Sequence, residues 1–124
     1  MNKDQQLSEL RRKEDFLYQK ERAILKEKRN LENEMNLVEG YCFEAHRLLW
    51  DAFDSYPSSR TFFDQLQGDV LHESRKISTS YLEELEELDR QKRKIEDDLN
   101  DIYHERKKIN VEKECDNGNR SLSR

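Results

Sequence analysis

Stepping along the chain by alternating threes and fours from Leu7 picks out two interleaved series. One reads Leu10, Leu17, Ile24, Leu31, Val38, Ala45 and Ala52, and is apolar throughout. The other reads Leu7, Glu14, Glu21, Lys28, Met35, Cys42, Leu49 and Tyr56, polar in its early half and apolar in its later half. A heptad repeat sets both series along one stripe of an α-helix, the pattern of a coiled-coil seam. It predicts helix 1 over about residues 5–55, with Gly40 tolerated inside it at about 1 kcal/mol.

The pattern breaks once, at Ser55-Tyr-Pro-Ser-Ser-Arg60, which holds the only proline. Pro57 lacks an amide hydrogen and turns Tyr56 away from helical angles. Ser58, Ser59 and Thr61 are N-capping residue types, and Thr61 to Asp64 has capping-box spacing, so helix 2 is expected from about residue 60 to 113. Its seam reads Phe63, Leu66, Val70, Ile77, Tyr81, Leu85, Leu88, Lys92, Ile95, Leu99, Ile102, Arg106 and Ile109. The four-residue steps at Ile77, Tyr81 and Leu85 predict a stutter there. Two helices joined by so short a turn run antiparallel. The predicted fold is therefore all-α: one helical hairpin over residues 1–114 with its bend near 56–60, and a disordered tail over 115–124.

The antiparallel register brings together residues whose numbers sum to about 115, which sets Glu21 near Lys92 and Glu14 within reach of the turn holding Arg106. It also sets Cys42 near Glu73 and away from Cys115, so no internal disulfide is expected. Because polar seam residues cluster toward the chain ends, the bend region, residues 42–75, is expected to be the most stable part.

Composition agrees with helices rather than a thick core. Charged residues make up 41% and hydrophobic residues 33%, with 3 glycines. The net charge of −5 is spread over interspersed residues of both signs, which excludes a nucleic-acid footprint and a basic membrane-surface helix. The first residues carry no apolar signal segment, and no apolar run is long enough to span a bilayer. His46, His72 and His104 match no metal-ligand spacing, although His46 and His72 could approach each other across the bend. There is no phosphate-binding loop and no nucleophile–base pair, so no enzyme activity and no cofactor is expected.

The aromatic residues gather around the bend. Tyr41, Phe43, Trp50, Phe53, Tyr56, Phe62 and Phe63 cannot all be buried by two helices touching along one seam. Either this cluster folds over itself and serves only to lock the hairpin, or, as its surplus apolar surface favours, it marks an interface anchored above all by aromatic residues. The expected partner-binding residues are Phe43, Leu49, Trp50, Phe53, Tyr56, Phe62, Phe63 and Leu66.

A helical hairpin with a Trp just before its turn resembles the small WXG-like helical proteins of Gram-positive type VII secretion. Nearer still are the helical accessory proteins encoded beside LXG toxins. The residues that carry the resemblance are YCFEAHRLLWDAF at 41–53, RTFFDQL at 60–66 and LDRQKRKIEDDLNDIYHERKKI at 88–109. It implies a targeting factor or chaperone that binds the helical N-terminal domain of an LXG-type toxin, in the cytoplasm or co-secreted with it. The turn here contains no Trp-x-Gly, and Tyr103 is followed four residues later by Lys107 rather than an acid, so the family's export signal is incomplete. The resemblance then implies a second small helical protein that supplies the signal. The alternative expectation is a self-associating structural coiled coil, a four-helix homodimer, from a phage or mobile element.

Overall fold

The computed structural model describes the backbone of residues 2–122 and the side chains of residues 2–115. Helix α1 runs Lys3–Ser55, a 3₁₀ turn covers Pro57–Ser59, and helix α2 runs Arg60–Leu122. The two helices pack against each other and no strand is present among the described residues, so the fold is an all-α helical hairpin. No described helix is long and apolar enough to cross a membrane.

Helix α1 starts two residues earlier than its heptads suggest because Asn2 caps it. The Gln5 amide donates to Asn2 Oδ1 (2.7 Å), and the Asn2 amide donates back to Gln5 Oε1 (3.1 Å). That reciprocal pair satisfies two amides that an uncapped helix end leaves open. At its other end α1 stops where Tyr56 leaves the helical region at φ −132°, ahead of Pro57. The Ser55 hydroxyl donates to the Asp51 carbonyl (3.1 Å), and the Ser59 amide donates to the Tyr56 carbonyl (3.0 Å) and closes the turn.

The expected caps at Ser58, Ser59 and Thr61 do not form in the expected way. Pro57 opens the 3₁₀ turn without any side-chain capping bond, and Arg60 is already helical at φ −51°, ψ −49°. The turn feeds α2 directly, so Thr61 lies inside the helix rather than at its cap. The backbone of α2 continues past Lys113 to Leu122; the tail expected over 115–124 falls almost wholly on residues whose side chains lie outside the described set.

Contacts divide the hairpin into two units, Met1–Leu25 with Asp89–Arg124, and Lys26–Leu88. The first unit contains Leu10, Ile24, Ile95, Ile102 and Ile109, all buried, with Leu7 and Leu17 packed against the Leu10, Ile102 and Ile109 cluster. At its seam Arg106 Nη2 lies 2.6 Å from Glu14 Oε2, the cross-hairpin pairing that the register predicts. Lys113 Nζ meets Asp4 Oδ1 at 2.6 Å on the surface. Lys92 reaches Glu96 one turn on, at 3.9 Å, rather than Glu21.

The second unit holds the turn and is packed differently. Only Leu31 and Leu88 are buried among its hydrophobic residues. From Met35 to Leu85 the seam positions are half-buried at most, because many carry small side chains: Cys42, Ala45, Ala52, Ser74 and Ser78. Small residues remove little apolar area from water. The expectation of greatest stability around 42–75 is therefore reversed in burial: the buried side chains lie outside that stretch.

The stutter also sits elsewhere. Buried and partly buried positions in α2 up to Leu88 run Phe63, Leu66, Gln67, Val70, Ser74, Ser78, Tyr81, Leu85 and Leu88, with consecutive steps of four at Val70, Ser74 and Ser78. Ile77 is displaced to the flank and is 39% exposed. Ser74 tolerates its seam position because its hydroxyl donates to the Val70 carbonyl at 2.7 Å.

Candidate interaction surface

All eight residues expected to bind a partner lie in the second unit, Lys26–Leu88, and the structure sorts them into two groups. Leu49, Phe53, Phe63 and Leu66 are half-buried, on or beside the seam. Phe43, Trp50, Tyr56 and Phe62 are exposed, at 71%, 50%, 63% and 60%. Tyr56, which the heptad assigns to the seam, is turned out because the chain leaves the helix there.

Phe43, His46, Trp50 and Phe53 follow one another at spacings of three and four, so they share one stripe of α1. Trp50 is held within that stripe. Its indole N–H donates to His46 Nε2 at 3.2 Å, and its ring meets Phe53 edge-on with centroids 5.8 Å apart. The Arg60 guanidinium lies 5.8 Å from the Phe53 ring, tying the start of α2 to this stripe. Phe62 and Phe63 form a second edge-on pair with centroids 5.6 Å apart. Trp50 and Phe62 are thus each oriented by a neighbour yet leave half or more of their surface to solvent, which is the state of an anchor before binding. The remaining large contacts of this stripe are charged: Arg47 bonds Glu44 one turn back and reaches Asp51 at 3.4 Å. The hydrogen bond from Arg47, more than its charge, holds the Glu44 carboxyl below the usual carboxylate range.

The expected partner-binding set leaves out other exposed apolar residues of this unit. Leu37, Leu71, Ile77 and Leu82 are 39–61% exposed, and Tyr41 and Leu48 stand out at 71% and 55%. Leu37, Leu71 and Leu82 are apolar residues off the seam register, which the heptad count passes over, whereas Ile77 was expected on the seam. Tyr41 and Ile77 flank an open apolar groove between α1 and α2 whose floor is Val38, Cys42, Ala45 and Val70. A second groove of the same unit has Leu31 and Leu88 at its floor and Glu27, Glu34, Glu84 and Glu87 along its rims.

The three histidines and the carboxylates build no reactive centre among the described residues. His46 is engaged by Trp50, and no group of three His, Cys, Asp or Glu residues among those described is placed to hold a metal ion. Cys42 is half-buried and Cys115 exposed, both as free thiols.

Residues 5–109 match the model of a family described as protein of unknown function (DUF3958), a span that takes in nearly all of α1, the turn and the first 50 of the 63 residues of α2. No curated protein and no solved structure matches the chain significantly.

Proposed function

The chain belongs to the DUF3958 family, and we propose that it is a docking protein: an accessory targeting factor or chaperone that binds the helical N-terminal domain of an LXG-type toxin for type VII secretion. The observation that carries this reading is the exposure of Phe43, Trp50, Tyr56 and Phe62 around the turn, at 50–71%. Large aromatic rings left in water, with Trp50 and Phe62 each oriented by a neighbouring ring, favour a partner that removes them from it. The three stretches that resemble the toxin-associated proteins lie inside the family match. A second small helical protein supplies the complete export signal, and the chain acts in the cytoplasm or leaves the cell with its cargo.

The test is a pull-down of the N-terminal domain of the toxin encoded beside this chain, with Phe43→Ser, Trp50→Ser and Phe62→Ser variants. Loss of an interface anchor costs at least about 2 kcal/mol, or roughly thirty-fold in affinity. The reading expects binding to collapse while circular dichroism of each variant alone is unchanged. Undiminished binding by all three variants, or no complex with the unsubstituted chain, would sink it. Self-association into a four-helix dimer is the second reading, favoured by the half-buried seam of small residues from Met35 to Leu85. Sedimentation of the isolated chain separates the two.

A further inference from the structure

The two grooves of the second unit lie on one flank of the hairpin, away from the Phe43 and Trp50 stripe. On α1 the flank positions are Glu27, Glu34, Tyr41 and Leu48, each seven residues from the last. On α2 they include Phe62, Leu66, Ile77 and Glu84, at intervals that keep one helical face. Chemistry changes sharply along this flank. Near the turn it is mainly apolar, with Leu48 and Phe62 and then the groove between Tyr41 and Ile77, whose rim also carries Asp69 and Glu73, the latter paired with Lys76 at 3.6 Å. Farther from the turn the rims become acidic, with Glu27 and Glu34 facing Glu84 across Leu31 and Leu88. Among the described residues lining the two grooves, none is basic.

We infer that this flank is a second docking surface, built for an amphipathic helix that is apolar at one end and lysine- or arginine-bearing at the other. The apolar end lies over Val38, Tyr41 and Ile77, and the basic end lies between Glu27, Glu34 and Glu84. The direction of the bound helix follows from the excess of acids: four carboxylates rim the Leu31 and Leu88 groove, against two at the other, where Glu73 is paired with Lys76. Charge complementarity selects such a partner over a second copy of this chain. A copy laid on this flank brings the carboxylates of the Leu31 and Leu88 groove against their own counterparts or against the groove rimmed by Asp69 and Glu73, where Lys76 is already paired with Glu73. Phe62 belongs to both surfaces, but Phe43 and Trp50 lie on the other side of α1, so variants at those two separate the toxin reading from this flank.

The probes are two synthetic helical peptides of about 20 residues, enough to span Glu27 to Leu48 along α1. Both carry the same leucine stripe; one has lysines at one end and the other has glutamates there. Titrated into the full-length chain by calorimetry, the lysine peptide should bind, and the glutamate peptide should bind at least roughly tenfold more weakly. Combined Glu27→Lys, Glu34→Lys and Glu84→Lys substitutions should reverse that preference. Tyr41→Ser with Ile77→Ser should weaken both peptides by roughly tenfold or more, and Phe43→Ser should weaken neither. All of these side chains are exposed, and circular dichroism confirms that the variants stay helical. The inference is overturned if neither peptide binds, if both bind alike, or if Phe43→Ser is the substitution that removes binding. It is also overturned if sedimentation finds a dimer that the Tyr41→Ser and Ile77→Ser variant dissolves, since a second copy would then occupy the flank. A toxin domain that fails to bind while the lysine peptide does would remove the proposed function and leave this surface standing.

Discussion

Replacing Ile102 by alanine tests where the stability of the hairpin resides. Ile102 is 7% exposed and packs with Leu10 and Ile109 in the first unit. Large-to-alanine changes at buried aliphatic positions cost about 2–5 kcal/mol, depending on how far the site can relax. A seam between only two helices has water close on either side, so the gap can be partly filled or closed, and the lower end, about 2–3 kcal/mol, applies. The matching change in the second unit is Leu85→Ala, at a half-buried seam position, expected at about 1 kcal/mol. Leu82→Ala, at 53% exposure, should cost under about 0.5 kcal/mol. Thermal melts followed by circular dichroism read these differences, at about 4 °C of Tm for each kcal/mol in a chain of this size. Ile102→Ala should thus lower Tm by roughly 8–12 °C, at least twice the effect of Leu85→Ala. Amide hydrogen exchange gives an independent reading: protection should be greatest around residues 10–31 and 88–109 and lower around 42–75. If Leu85→Ala costs as much as Ile102→Ala, or the turn region exchanges most slowly, the argument from burial is wrong.

Three further outcomes follow from particular residues. Gly40 and Gly68 both lie inside helices with open space where a Cβ would stand, so alanine at either should raise stability by about 0.5–1 kcal/mol, visible as a higher urea midpoint with an unchanged slope. In a double-mutant cycle of Glu14→Gln and Arg106→Gln the coupling energy should be about 1 kcal/mol, because the side chains are still 22% and 33% exposed and solvent screens them; coupling that is absent at low salt would contradict the ion pair. The Glu44 carboxyl, lowered by its hydrogen bond from Arg47, should titrate below the ordinary carboxylate range by NMR and return to it in Arg47→Ala. Since the folded pKa lies below the unfolded one, whatever this contact adds to stability is present above the unfolded value and is lost as pH falls through the folded value.

The heptad determined much of this molecule without help. Seam positions in α1 from Leu7 to Ala52 are all buried or half-buried as the pattern requires, since a side chain's place on a helix follows from its number alone. Pro57 likewise set the turn to within a residue, because the loss of one amide and a fixed φ act locally whatever the rest of the chain does. The partner side of the seam was less legible. In α2 the choice between Ile77 and the pair Ser74 and Ser78 depends on how α2 turns to keep facing α1, and hydropathy favoured the isoleucine. Only packing of one helix on the other could decide that, by placing small hydroxyl-bearing residues inside, where Ser74 can bond to its own backbone. The aromatic cluster was visible in the sequence as a surplus. Which rings are half-covered, Phe53 and Phe63, and which stand in water, Phe43, Trp50 and Phe62, was decided by the angle each takes from the seam. Burial itself is a property of two surfaces, and a sequence pattern specifies each of them singly.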